Sequence, residues 1–252
     1  MNPIIGSIGG FELSWHGVFS ALGILTPIIW LLKVSKDVKR DEIINLCLSA
    51  VIVGLIVSRL FHVIDRWEIY KYDFLAIFKF WEGGFALYGG ILGGILGAVM
   101  YSYARRLPLG KIVNLSAPGV ILGQAIGRIG CTINGDAYGT PTNLPWAFIY
   151  THPNAAKTTP LFEPRHPAPV YEIFWDLIVF FILIKMRNRF RENWSLLLLY
   201  LLLYSTGRFI ISFFRDEPDV LGPLHQAHLI SIGVFIASLS LLYLIKRKWK
   251  PS

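Results

Sequence analysis

Seven runs of mostly apolar residues, each long enough to cross a bilayer, constrain this chain more than any other feature. A span needs about 20 predominantly apolar residues, and that length selects residues 15–33, 42–63, 85–104, 113–131, 169–186, 194–213 and 226–245. Backbone in hydrocarbon must satisfy its own hydrogen bonds, so these runs predict helices. The expected fold is all-α: a polytopic membrane protein with about seven transmembrane helices, forming a single transmembrane domain over residues 1–252. Composition agrees, because 54% of the 252 residues are hydrophobic and only 16% charged, against roughly 25% charged in a soluble domain. The net charge of +8 does not point to nucleic acid, since the basic residues fall between the apolar runs and so face a membrane surface.

Of the 24 Lys and Arg, fifteen fall in one alternating set of connections, from Lys33 to Lys250, and six in the other: Arg66, Lys71, Lys79, Lys157, Arg165 and Arg215. The positive-inside rule then places the C-terminus in the cytoplasm and the N-terminus outside. Residues 1–14 carry no basic region and no small-residue cleavage site follows, so the first run reads as a span rather than a signal peptide. Residues 64–82 are rich in aromatics (Trp67, Tyr70, Tyr72, Phe74, Phe78, Phe80, Trp81) mixed with Arg66, Lys71 and Lys79, a pattern expected of an interfacial helix. The longest connection, 132–168, falls on the outer side and is long enough to form an external cap.

The chemistry concentrates in ionisable residues at membrane depth. An arginine at a helix centre costs about 2.5–3.5 kcal/mol on insertion scales, so Arg59, Arg128 and Arg208 each require a partner. Glu172 and Asp176, one turn apart, are the acids available to them. Three arginines against two acids leave surplus positive charge, which an anionic lipid headgroup would satisfy, and guanidinium forks suit phosphate oxygens. Glycines at four-residue spacing from Gly89 to Gly97 permit close helix contact. Near the outer end of the fourth run, Gly127-Arg128-Ile129-Gly130 leads through Cys131 to Asn134-Gly135-Asp136 and Gly139. Glycines there are expected to break the helix and turn backbone amides toward a polar cavity. Tyr204 and Arg208, at i and i+4, share a face. The charges from Arg215 to Asp219 read equally as a solvated helix end. Cys47 and Cys131 are too few for a disulfide framework or a closed zinc site. No metal or organic cofactor is expected, because no His, Cys or carboxylate cluster stands at ligand spacing along the chain.

These residues, in this order, resemble the prolipoprotein diacylglyceryl transferase family. The resemblance runs through Ser14-Trp15-His16-Gly17, Arg59, Trp81-Glu82-Gly83-Gly84 leading to Tyr88-Gly89-Gly90, Ala117-Pro118 and Gly127-Arg128-Ile129-Gly130. It continues through Asn134-Gly135-Asp136, His166-Pro167, Tyr171-Glu172, Tyr204, Arg208-Phe209, Phe213-Phe214-Arg215, Pro218-Asp219 and Gln226. It implies transfer of the diacylglyceryl group of phosphatidylglycerol to the lipobox cysteine thiol of a prolipoprotein signal peptide, with release of glycerol 1-phosphate. It also implies a location in the bacterial plasma (inner) membrane with the active site toward the outer side, and phosphatidylglycerol, prolipoproteins and membrane lipids as partners. Arg128 and Arg208 are then the donors to the leaving phosphate, and either His16 or Tyr88 handles the proton or the headgroup. Arg59, Asn134, Asp136, Gly139, Glu172 and Tyr204 are the remaining candidates for substrate binding. The chain departs from the family pattern at Cys131 (usually Asn), Thr132 (usually Phe), Asn114 (commonly Asp) and Pro169 (usually Gln). A protein that binds or translocates phospholipid without bond cleavage would need the same anionic site. An ion-coupled transporter would want more midplane acids than Glu172 and Asp176.

Overall fold

The computed structural model describes residues 2–8, 11–155 and 159–248; Lys157 and Lys250, part of the charge asymmetry, lie outside them. Among the described residues the helices are α1 (Trp15–Val34), α2 (Arg40–Asp65), α3 (Trp67–Tyr70), α4 (Leu87–Ala104), α5 (Leu109–Asn134), α6 (Ala168–Met186), α7 (Ser195–Ser212) and α8 (Gln226–Lys248). Six of them, α1, α2, α4, α5, α7 and α8, are long and apolar enough to cross a membrane, and the protein is a polytopic membrane protein. The helix α6 has 19 residues, but Glu172, Asp176 and Lys185 interrupt its apolar run. Apolar side chains such as Ile29, Ile52, Leu92, Phe181 and Leu239 face outward, the inverse of a water-soluble fold.

The chain divides into two compact units, residues 32–112 and the remainder. In the 32–112 unit, α2 and α4 pack through the expected glycines. A Cβ on Gly93 would lie 2.6 Å from Val57 Cβ and 2.7 Å from Val53 O, and one on Gly97 would lie 2.5 Å from Ser49 O. The hydroxyls of Ser49 and Ser58 donate across the same seam to Gly97 O (3.0 Å) and Ala86 O (2.8 Å). At one end of the pair, Arg105 Nη2 donates to Glu42 Oε1 at 2.5 Å, and Tyr101 donates to Glu42 Oε2 at 2.9 Å.

The aromatic segment differs from the continuous interfacial helix expected of it. It consists of the four-residue α3 and two 3-10 turns, Phe74–Phe78 and Phe80–Glu82. The reason is local: the Asp73 carboxylate accepts from Leu75 N (3.1 Å) and Ala76 N (3.2 Å), starting a new turn instead of continuing the old one. Trp67, Tyr72, Phe74, Phe78 and Trp81 are exposed.

The second unit holds most of α1 and α5, and α6 to α8. Its buried core joins Ala117 and Ile121 of α5 to Val179 and Leu183 of α6, Leu196, Leu198 and Tyr200 of α7, and Leu242 of α8. Asn114 fastens one end of it. The side chain, 5% exposed, donates to Phe190 O at 3.0 Å and accepts from Leu196 N at 2.5 Å, so α5 supplies the cap for α7. The helices α1 and α5 approach so closely that a Cβ on Gly123 would stand 2.2 Å from Gly23 O.

The same packing corrects the expected break at Gly127 to Gly130: α5 runs unbroken to Asn134. Gly130 is a contact residue, since its Cβ would lie 3.1 Å from His16 Cα and 3.0 Å from Phe19 Cβ. The helix ends instead at Gly135, whose φ of +83° lets its N–H return to Cys131 O at 2.9 Å. Small β elements absent from the sequence reading complete the unit. The strands β1 (Ile4–Ile8) and β2 (Phe11–Ser14) form one hairpin, β3 (Phe148–Ile149) pairs with β4 (Pro164–Arg165) within the long connection, and β5 (Asp219–Leu221) pairs with β6 (Leu224–His225) before α8.

Candidate active site

Glu172 lies just inside α6, with a side chain 6% exposed. Arg128 from α5 reaches its Oε2 through Nε. Arg208, near the end of α7, donates to Oε1 at 2.6 Å, and Arg215 beyond α7 donates to the same oxygen at 3.1 Å. A second carboxylate, Glu217, accepts from Arg208 at 3.0 Å and from Arg215 at 2.6 Å. Three guanidiniums thus converge on two carboxylates that they contact directly. Asp176, expected as a second partner, is 1% exposed; its Oδ2 makes no hydrogen bond among the described residues, but it is an electrostatic neighbour of Arg128. Burial pushes the Glu217 carboxyl up, but the charges of Arg215 and Arg208 outweigh it and hold the group below the usual glutamate value.

Arg128 links this cluster to a second group of polar residues at the end of α5. Its Nη1 lies 4.0 Å from Cys131 Sγ. Asn134 donates to Asp136 Oδ1 at 2.9 Å, and His16 Nδ1 lies 3.7 Å from the same oxygen. His16, Cys131 and Asp136 bring their donor atoms within 4.8 Å of one another, a cluster that linear spacing did not reveal because α1 supplies one member, and α5 and the turn after it supply the others. Tyr204, stacked on Tyr200 with ring centroids 6.0 Å apart, has Arg128, Glu172 and Arg208 as electrostatic neighbours. Beneath the cluster Tyr150 donates to Thr132 O at 3.1 Å, and burial pushes its phenol up to about 12, so it remains a donor.

The structure therefore brings His16, Arg128, Asn134, Asp136, Glu172, Tyr204 and Arg208 into one network. Gly139 sits at its edge in a position only glycine fits, because a Cβ would stand 2.3 Å from Phe214 O and 2.5 Å from His166 Cβ. Arg165, 9% exposed at its side chain, holds that turn by donating to Gly139 O at 3.2 Å and Asp216 at 2.6 Å. Arg59 and Tyr88 belong to the 32–112 unit. Tyr88 is half exposed in the first turn of α4. Arg59 is 3% exposed and its guanidinium donates to the carbonyls of Ala76 (2.6 Å), Ile77 (3.0 Å), Gly84 (3.0 Å), Gly83 and Lys79. Arg215 and Glu217 are members that the reading of a solvated helix end missed. The available signal was the seven-residue step from Arg208 to Arg215, which is two turns along one helix face.

A family model described as prolipoprotein diacylglyceryl transferase matches residues 3–244. Proteins named phosphatidylglycerol–prolipoprotein diacylglyceryl transferase are similar over nearly the full length. The one from Clostridioides difficile is 34% identical over 250 residues, covering 98% of this chain and 97% of its own. Those from Gloeobacter violaceus (35% over 252 residues, 98% and 94% covered) and Dehalococcoides mccartyi (33% over 253 residues, 99% and 95% covered) are comparable.

Proposed function

The chain belongs to the prolipoprotein diacylglyceryl transferase family, and we propose that it moves the diacylglyceryl group of phosphatidylglycerol onto the thiol of a prolipoprotein cysteine, forming a thioether and releasing glycerol 1-phosphate. The observation that carries this reading is the convergence of Arg128, Arg208 and Arg215 on Glu172. In the reaction the substrate sulfur attacks the glyceryl carbon bearing the phosphate ester. The S–C bond forms as the C–O bond breaks, the thiol proton passes to a base, and the departing phosphate gains a negative charge. Preorganised guanidiniums stabilise that developing charge, and removing one such donor typically costs about 10²–10³ in rate. Glu172 keeps the three arginines together as donors for an arriving phosphate.

His16 and Tyr88 remain the candidates for proton handling. The Asp136 carboxylate 3.7 Å from His16 Nδ1 favours the histidine, since a carboxylate beside one ring nitrogen orients the imidazole. Asn134, Asp136, Gly139 and Tyr204 shape the headgroup site. Arg59 holds the aromatic segment through its carbonyls rather than meeting a headgroup. The functional molecule has seven spans, α6 included, with its N-terminus outside and its C-terminus in the cytoplasm of a bacterial plasma membrane. Its polar mouth then faces the outer side, where translocated precursors present their lipobox cysteine.

The test uses purified full-length protein, phosphatidylglycerol vesicles and a lipobox peptide, with thioether product and glycerol 1-phosphate both measured. Arg128→Ala and Arg208→Ala are expected to lower turnover about 10²–10³-fold. Background-level product from the wild type and both variants alike would defeat the reading.

A further inference from the structure

His16 opens α1 and is pressed against α5 at Gly130, where a Cβ would already be 3.1 Å from His16 Cα. The next residue along α5 is Cys131, and the turn at Gly135 brings Asp136 back beside both. The three donor atoms lie within 4.8 Å of one another, and His16 Nδ1 is 3.7 Å from Asp136 Oδ1. That nitrogen is shut off from solvent yet makes no hydrogen bond among the described residues, a state polar atoms rarely keep unless something else fills the gap. We propose that His16, Cys131 and Asp136 form a binding site for a borderline-soft divalent cation, Zn²⁺, with a fourth coordination position left open.

The donor set selects the ion. A thiolate, an imidazole and a carboxylate suit Zn²⁺, whereas Mg²⁺ and Ca²⁺ take oxygen ligands. Zn–S near 2.3 Å and Zn–N or Zn–O near 2.0–2.2 Å in tetrahedral geometry put ligand atoms about 3.3–3.6 Å apart. The His16–Asp136 pair, at 3.7 Å, is close to that already, and all three donor atoms lie within 4.8 Å of one another. One thiolate and one carboxylate balance a divalent charge. Arg128, whose Nη1 lies 4.0 Å from the sulfur, is itself paired with Glu172. Three protein ligands with an open fourth position are also the arrangement in which zinc binds an exchangeable water or substrate oxygen.

Because His16 and Asp136 also serve the transferase reading, the test is read without turnover. Full-length protein in phospholipid-free detergent is titrated with Cd²⁺, following the thiolate-to-metal charge-transfer absorption, and with Zn²⁺ in competition with a chromophoric chelator. One equivalent is expected, with the absorption retained in Cys47→Ser and lost in Cys131→Ser. Cys131→His, which keeps a ligand at that place, is expected to bind Zn²⁺ without the absorption and so to separate ligation from misfolding. His16→Ala and Asp136→Asn are expected to weaken Zn²⁺ about 100-fold or more, since even residues one shell further out are worth 10–100-fold. The proposal is overturned by absence of the absorption in the wild type, by its survival in Cys131→Ser, or by wild-type affinity in His16→Ala and Asp136→Asn, which would mark a lone thiol. A protein that binds no metal leaves the transferase reading intact, and one that binds metal but transfers nothing leaves this inference intact.

Discussion

Replacing Glu172 with glutamine keeps the volume of the side chain and removes the charge that three arginines share. The structure says which of them suffers. Arg208 and Arg215 retain Glu217, whereas Arg128 loses the carboxylate it contacts directly and is left beside Cys131. One uncompensated buried charge costs about 3–5 kcal/mol. Because the Arg128 side chain is 22% exposed, the lower figure of about 3 kcal/mol applies. At ~2–4 °C per kcal/mol for a chain of this size, the melting temperature in detergent is expected to fall by about 6–12 °C. Glu217→Gln leaves both Arg208 and Arg215 on Glu172 and is expected to lower it less than half as far. Adding Arg128→Met to Glu172→Gln removes the stranded charge, so the two changes are expected to couple by ~2–3 kcal/mol in scanning calorimetry, at the upper end of measured pair couplings. Additivity within about 0.5 kcal/mol, or a Glu172→Gln protein that melts with the wild type, would refute the argument.

The remaining predictions concern the scaffold and pH. Asn114→Ala removes the cap that α5 provides to α7 and is expected to cost about 0.5–2 kcal/mol, visible as a lower melting temperature and faster amide exchange at residues 195–198. Gly93→Ala must push apart α2 and α4 and is expected to destabilise by about 1–3 kcal/mol. Gly94→Ala, whose nearest new contact would be Ala50 O at an ordinary 3.6 Å, is expected to be neutral or to stabilise by up to about 1 kcal/mol; thermal melts of the pair decide. Glu217 has a folded pKa below its ordinary value of 4.5, so its contribution is complete above that pH and is lost as pH falls through the depressed value. The melting-temperature gap between wild type and Glu217→Gln is therefore expected to be constant near neutrality and to close in acid.

The helical architecture was legible because length and apolarity are properties of contiguous residues. The runs at 42–63 and 226–245 reappear as α2 and α8 with ends shifted by a few residues. What failed depended on partners distant in sequence. Gly130 looked like a helix breaker and is a contact with α1, a distinction that requires knowing where His16 and Phe19 lie. The aromatic segment carried the composition of an interfacial helix, but a single carboxylate at Asp73 divides it. Arg128, Arg208 and Glu172 were found because charge inside an apolar run is conspicuous. Arg215 and Glu217 lay just past the run, among residues that solvent would equally accommodate. The approach of His16 to Cys131 left no trace in spacing, since only the crossing of two helices creates it.

Arg59 changes how depth in a membrane should be interpreted. Five carbonyl oxygens from an irregular stretch of chain meet one side chain, which does for them what water does at the surface of a soluble loop. A cation placed where lipid would normally forbid it thus lets the backbone abandon regular helix without leaving acceptors bare. Among intramembrane arginines, then, the identity of the acceptor separates scaffold from chemistry: amide oxygens mark a mortar joint, and shared carboxylates mark a place held ready for another anion.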